Sequence, residues 1–242
     1  MDEKKIKARL ELEDSSMFYG YSFGATRSIA GEVVFNTSMV GYPESLTDPS
    51  YFGQILVLTY PLIGNYGVPE DVVVDGLNKW FESSKIQIAG LIVSEYSFDA
   101  QHWSLNKSLA QWLVEHDIPG IYGIDTRMLT KRLREEGSLL GRMLYFTESP
   151  DFYDPNKTNL VEQVSLAEPV EYGDGGKKVV LIDCGAKDNI VRSLVERDLT
   201  VRKVPWNYDF LSVDYDGIMI SNGPGDPKMC RRTVEIVRGA MD

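Results

Sequence analysis

A chain of 242 residues that is 43% hydrophobic and 25% charged has enough apolar length for one or two packed domains, which excludes a wholly disordered protein. Its 36 acidic residues against 25 basic ones leave a formal charge of -11 and a pI near 4.8, the wrong sign for coating a nucleic acid or an anionic membrane. No run approaches the roughly 18 apolar residues of a membrane span, and the charged opening MDEKKIKARL has no apolar signal core behind it. The two cysteines, Cys184 and Cys230, lie far apart without metal-type spacing, so the expected setting is the reducing cytoplasm.

Up to about Tyr145 the pattern is that of short strands and turns. ARLELED alternates with Leu10 and Leu12 on one face, and Asp14-Ser15-Ser16 supplies a turn before MFYGYSF, so the spacing predicts a hairpin. GEVVFNTSM, QILVLTYP and IQIAGLIVSEY are further strand-length runs bounded by Gly, Pro, Asn and Asp. Two helices interrupt them. The first is SLNKSLAQWLVEHD, with Leu105, Leu109, Trp112 and Leu113 on one face and Ser104 as cap. The second is DTRMLTKRLREEG, with Asp125 as N-cap, Met128, Leu129 and Leu133 as the stripe and Gly137 at the exit. Residues 1–147 therefore read as an α+β domain of short strands and helices.

Residues 148–177 carry scattered Pro, Asp and Gly and read as a linker with a short helix around Leu160 to Val164. From residue 178 to 242 strand and helix alternate. KVVLIDCG is a continuous apolar run, as in a strand covered on both faces. KDNIVRSLVERD follows with Ile190, Val191, Leu194 and Val195 on one helical face, then LTVRKVPW and YDGIMISNG as two more strands. Asp226 and Pro227 start a last helix, PKMCRRTVEIVRG. The overall class is α/β, its second part the start of a doubly wound sheet whose ligands sit beyond the carboxyl ends of the strands. Three strands with an uncovered apolar edge make a poor stopping place for a domain, so the chain is expected to be a truncated fragment.

The loop SNGPGDP lies at such a carboxyl end. Gly223 and Gly225 are followed by Lys228 where a dinucleotide fingerprint needs its third glycine, and P-loop spacing is absent. Pro224 removes one N–H from any phosphate cradle. A stand-alone nucleotide-binding domain is therefore disfavoured, although the loop still exposes backbone to a ligand.

From LELEDSS through GEVVFNTSMVGYPESLTDPSYFGQILVLTYPLIGNYG, GIDTRMLTKRLREEGSLLG and LIDCGAKDNIVRSL to ISNGPGDP, the sequence resembles the amino-terminal part of the glutaminase (small) subunit of carbamoyl-phosphate synthase. KWFESSKI and VPWNYDF look like the eukaryotic fused enzymes. The resemblance implies a class I glutamine amidotransferase-like fold, truncated here, in the second domain. It implies a glutamine pocket in which Ser50 reaches across from the first domain and backbone amides of Gly223 and Gly225 face the substrate amide. Gly223 N–H would be the oxyanion-hole donor, glycine there allowing close approach of backbone to substrate. The Gly-x-Cys-x-Gly elbow and later His and Glu of that family do not occur in the chain, so the fragment alone is expected to be inactive.

By the same resemblance no cofactor or metal is expected here; ATP and Mg belong to a synthetase large subunit or domain, the partner that makes carbamoyl phosphate from bicarbonate for pyrimidine or arginine biosynthesis. L-Glutamine is the other expected ligand, and neither nucleic acid nor membrane is. A rival reading is a non-catalytic glutaminase-like interaction domain of an ammonia-dependent synthase, whose linker DPNKTNL resembles. Cys184 and Cys230 read as packed thiols, His102 and His116 as surface or helix-end residues, and KRLREEG as a solvated helix face.

Overall fold

The computed structural model describes residues 5–103, 105–146 and 149–241. In chain order the strands are β1 (Lys7–Leu12), β2 (Met17–Ser22), β3 (Ile29–Asn36), β4 (Ile55–Ile63), β5 (Val73–Val74), β6 (Leu77–Asn78) and β7 (Gly90–Tyr96). They continue as β8 (Gly120–Tyr122), β9 (Leu139–Tyr145), β10 (Val170–Tyr172), β11 (Lys177–Asp183), β12 (Leu199–Pro205) and β13 (Gly217–Ile220). The helices are α1 (Tyr42–Thr47), α2 (Leu109–Glu115), α3 (Thr126–Glu136), α4 (Val161–Val164), α5 (Asp188–Val195) and α6 (Arg231–Gly239). The chain forms two compact units: Met1–Leu46, Gly53–Asp71 and Lys85–Pro155 make the first, Thr47–Phe52, Val72–Ser84 and Asn156–Asp242 the second.

The first unit is a closed barrel in the order β1-β2-β8-β7-β4-β3-β9. The β1–β2 hairpin pairs antiparallel, Lys7 opposite Tyr21, as the sequence predicts. Closure comes from β9, antiparallel to both β1 and β3, while the successive pairs β3–β4, β4–β7 and β7–β8 are parallel and β8 meets β2 antiparallel. Period-two alternation turns Ala8, Leu10 and Leu12 of β1 inward, where they meet Val33, Ile55, Val57, Ile92, Ile121 and Met143. Leu129 and Leu133 of α3 complete that cluster.

Both long helices of this unit depart from the predicted stripes. Helix α2 begins at Leu109, its cap being Ser108, whose side chain accepts from Gln111 N–H; Leu105 precedes the helix, and Ser104 lies outside the described residues. In α3 the Asp125 cap and Gly137 exit hold: the carboxylate accepts from Met128 N–H at 2.8 Å, and Gly137 sits at φ 91°. The buried face, however, is Thr126, Leu129, Thr130 and Leu133, with Met128 55% exposed. Two threonines, β-branched and half apolar, fill the places the hydrophobic count had given to Met128.

The second unit is a sheet in the order β10-β12-β11-β13. Strands β12, β11 and β13 are parallel, and β10, inside the predicted linker, adds antiparallel to β12. Successive residues of β11 point to opposite faces: Val180 and Ile182 meet Val204, Phe210 and Ile236 on the α6 side, whereas Leu181 meets Val191, Val201 and Leu77 on the α5 side. That is the two-sided burial expected of KVVLIDCG. By contrast β13 is not buried; Met219 and Ile220 are 37% and 49% exposed, and among the described residues the strand pairs only with β11.

The bounds of the units differ from a single cut near residue 148 for a physical reason. Lys187, the N-cap of α5, offers no side-chain acceptor, so the helix takes its capping groups from residue 82: Asp188 N–H donates to Glu82 carbonyl at 2.9 Å and Asn189 N–H to Glu82 carboxylate at 3.0 Å. Asn78 N–H donates to Asp188 carboxylate at 3.0 Å, and Leu77 enters the core beside α5. Residues 47–52 follow, because Glu82 N–H donates to Thr47 Oγ1 at 3.0 Å and Lys187 pairs with the buried Asp48 at 2.6 Å.

Candidate functional site

The candidate site is the loop Ser221 to Asp226 at the carboxyl end of β13, with the turn after β11 and the segment around Ser50. All of these lie in the second unit. The expectation that Ser50 reaches in from the first domain changes accordingly: residues 47–52 group with the sheet.

The turn after β11 is fixed by Asp183, 1% exposed. Its Oδ1 accepts from Gly185 N–H at 3.0 Å and Ala186 N–H at 2.7 Å; its Oδ2 accepts from Leu166 N–H at 2.9 Å and faces Lys203 Nζ at 3.3 Å. A carboxylate so deeply buried needs those four partners. They hold the Cys184 carbonyl against the glycine loop.

That carbonyl explains Gly223. A Cβ built on Gly223 would stand 1.8 Å from Cys184 O, closer than any contact can be, so glycine is demanded here by the neighbouring backbone as well as by any ligand. Gly225 has a different reason, φ +76°, in the left-handed region that L side chains rarely adopt. Neither glycine's N–H has a hydrogen-bond acceptor among the described residues. Beneath the loop lies a mostly apolar cavity of about 490 Å³, lined by Val161, Cys184, Gly223, Gly225, Cys230 and Val237 among others.

Ser50 meets the loop through Asn222, whose side-chain amide donates to Ser50 Oγ. The serine is itself set by an Asx turn: Asp48 carboxylate accepts from Ser50 N–H at 2.9 Å and is held by Lys187. Asn222, Asp48 and Lys187 were not singled out in the sequence. Asp48-Pro49-Ser50 does carry the Asx-turn pattern, but nothing local couples it to Asn222, 172 residues further on.

No activated nucleophile accompanies these groups among the described residues. Burial pushes the Cys184 thiol up to about 12, with Cys230 and Asp183 adding to the rise. Cys230 is raised as well, by burial and then by Asp226. Both are protonated at neutral pH, and it is the thiolate that attacks. Ser221 Oγ is occupied, accepting from Cys184 N–H at 2.9 Å and donating to Asn222 carbonyl at 2.8 Å. His102 packs against Tyr66 and Trp103, and His116 ends α2 against Trp112; the described residues hold no His, Cys, Asp and Glu group fit for a metal. Among them no helix is long and apolar enough to cross a membrane. Among the described residues, the groups the site offers to a polar ligand are the two backbone donors and the Ser50–Asn222 pair.

A barrel followed by a parallel sheet with a glycine-turned loop at its carboxyl end defines the class, and the sequence comparisons settle it. The family "Carbamoyl-phosphate synthase small chain, CPSase domain" matches residues 10–143, and "Glutamine amidotransferase class-I" matches residues 180–242. The chain belongs to the carbamoyl-phosphate synthase small-chain family.

Among individual relatives, it is similar to the multifunctional protein CAD of Squalus acanthias, 53% identical over 239 residues, which cover 97% of this chain and 11% of that protein. It is 49% identical over 242 residues to the human "Carbamoyl-phosphate synthase [ammonia], mitochondrial", covering 99% of this chain and 16% of the relative. It is 47% identical over 256 residues to the multifunctional protein URA2 of Saccharomyces cerevisiae, covering 91% and 12%. The chain thus spans a small part of the length of these relatives.

Proposed function

We propose that this chain is the glutamine-handling part of a glutamine-dependent carbamoyl-phosphate synthase, supplying ammonia to a synthetase component that makes carbamoyl phosphate from bicarbonate and ATP. The observation that carries the reading is the pair of N–H donors at Gly223 and Gly225, without acceptors among the described residues, in the loop that follows the carboxyl end of β13 and is joined through Asn222 to Ser50. Two donors suit the side-chain amide of glutamine, and in this reading Gly223 N–H stabilises the oxygen that becomes negative when a thiolate attacks that amide. The thiolate comes from outside these 242 residues, since Cys184 and Cys230 are raised and occur in no Gly-x-Cys-x-Gly elbow. ATP and Mg serve the synthetase component. The pathway is pyrimidine or arginine biosynthesis, and the compartment is the cytoplasm.

A second reading has its own support. One relative's name specifies ammonia, and the protonated cysteines suit a glutaminase-like domain kept as an interaction module. Calorimetric titration of the chain with L-glutamine separates the two. Saturable binding that Ser50→Ala weakens about tenfold, the worth of one hydrogen bond to a charged group, supports the glutamine-dependent reading. No binding at any concentration transfers the chain to the ammonia-dependent class.

A further inference from the structure

In the first unit, a cleft of about 880 Å³ opens beside α3 where the parallel strands β3, β4 and β7 end. Arg127, Lys131 and Arg134, at i, i+4 and i+7 on α3, all line it. In a chain of net charge -11, this cluster has almost no internal compensation. Arg127 has no hydrogen bond or ion pair among the described residues. Among the described residues Lys131 has only the exposed Glu135 at 3.9 Å, and Arg134 lies over the Phe35 ring at 5.6 Å without an anionic partner. The one acid in the lining, Asp125, already accepts from Met128 N–H. Its carboxylate covers the amino end of α3, so the cations rather than the helix dipole make the cleft positive.

Hydroxyl groups complete the lining. Thr130 is 7% exposed, and its Oγ1 is buried without a hydrogen-bond partner, a standing cost unless something on the cleft side meets it. The hydroxyls of Thr37 and Ser94 also lack partners among the described residues. Guanidinium groups, an ammonium and hydroxyls converging on one concavity match the oxygens of a tetrahedral oxyanion, with Arg supplying paired donors and Lys a point charge.

We propose that this cleft is a binding site for a small oxyanion of the phosphate class, either free or as the phosphate of a larger metabolite. The test is calorimetric titration of the 242-residue chain with inorganic phosphate, against sodium chloride at matched ionic strength. The expected result is saturable one-site binding, weakened about tenfold or more by Arg127→Ala with Lys131→Ala, the loss of two charge-assisted contacts. Thr130→Val should weaken it too, while Lys7→Ala with Arg9→Ala, on another basic surface, should leave it unchanged. Both cations are exposed, so the double variant should keep its circular dichroism; Arg127→Gln with Lys131→Gln serves if it does not. Glucose 6-phosphate binding more tightly than inorganic phosphate would assign the site to a phosphorylated metabolite, and equal binding to the free ion. Heats that follow ionic strength alone, or equal binding by wild type and the double variant, would overturn the proposal.

Discussion

Every strand of the barrel has two neighbours, whereas among the described residues β13 of the second unit pairs with β11 alone and shows Ile218, Met219 and Ile220 to solvent. The barrel keeps its order through apolar packing around a closed ladder. The sheet relies more on buried or part-buried polar knots: Asp183 with three N–H donors and Lys203, Asp188 with Asn78, Asp48 with Lys187. The barrel has polar ties too, such as Arg142 with Glu11, but its ladder closes on itself, while a loop at an open edge depends on specific hydrogen bonds for its shape.

The sharpest way to break that comparison is Asp183→Ala. Removing the acceptor of three buried donors and the partner of Lys203 should cost about 3–5 kcal/mol, read as a lower urea midpoint for the second unit's transition. A variant as stable as wild type would show that the knot is dispensable. In the barrel the counterpart is Ile92→Ala, at a fully buried position, where the cavity should cost about 2–5 kcal/mol; a loss under about 1 kcal/mol would mean that the barrel core collapses around the hole.

Gly223→Ala is expected to cost about 1–3 kcal/mol, as forced overpacking does, because its Cβ must displace the Cys184 carbonyl. Hydrogen exchange should show the effect confined to the loop and the turn after β11, and spread through the barrel would contradict the division. The smallest effect is on pH dependence. Burial raises the Asp188 carboxyl pKa, outweighing the hydrogen bond from Asn78 and the nearby cations. With the folded value above the unfolded one, the folded state binds more protons, so this group's contribution falls as pH rises through the folded pKa. Stability profiles of wild type and Asp188→Asn should diverge in that direction across the carboxylate range; parallel profiles would remove Asp188 from the account.

Much of this fold was legible because it is written in short periods. The β1–β2 hairpin, the three parallel strands of the sheet, the Asp125 cap and the α4 turn all follow from residues within one turn or one strand, whereas β10 falls in a stretch that reads as a linker. What escaped depends on distant partners. Closure of the barrel through β9 pairs Ala8 with Tyr145, and no local pattern announces it. Segment 72–84 joins the second unit through distant contacts: Glu82 caps α5, Asn78 bonds Asp188 and Leu77 packs beside that helix. At the site, the glycine loop was visible as a departure from nucleotide spacing, and Ser50 through resemblance. The steric demand of the Cys184 carbonyl on Gly223, and the amide of Asn222, needed three dimensions.

The way the two units share the chain also sets a schedule for its synthesis. Strand β1 cannot find its place between β2 and β9 until Tyr145 has left the ribosome. Residues 47–52 and 72–84, made early, must wait for α5 and β13, more than 100 residues later. At roughly 5–20 residues per second, both early segments spend several seconds as exposed chain, Val73, Val74 and Leu77 among them. The segment that carries Ser50 is therefore translated 172 residues before Asn222, the residue that gives it a partner.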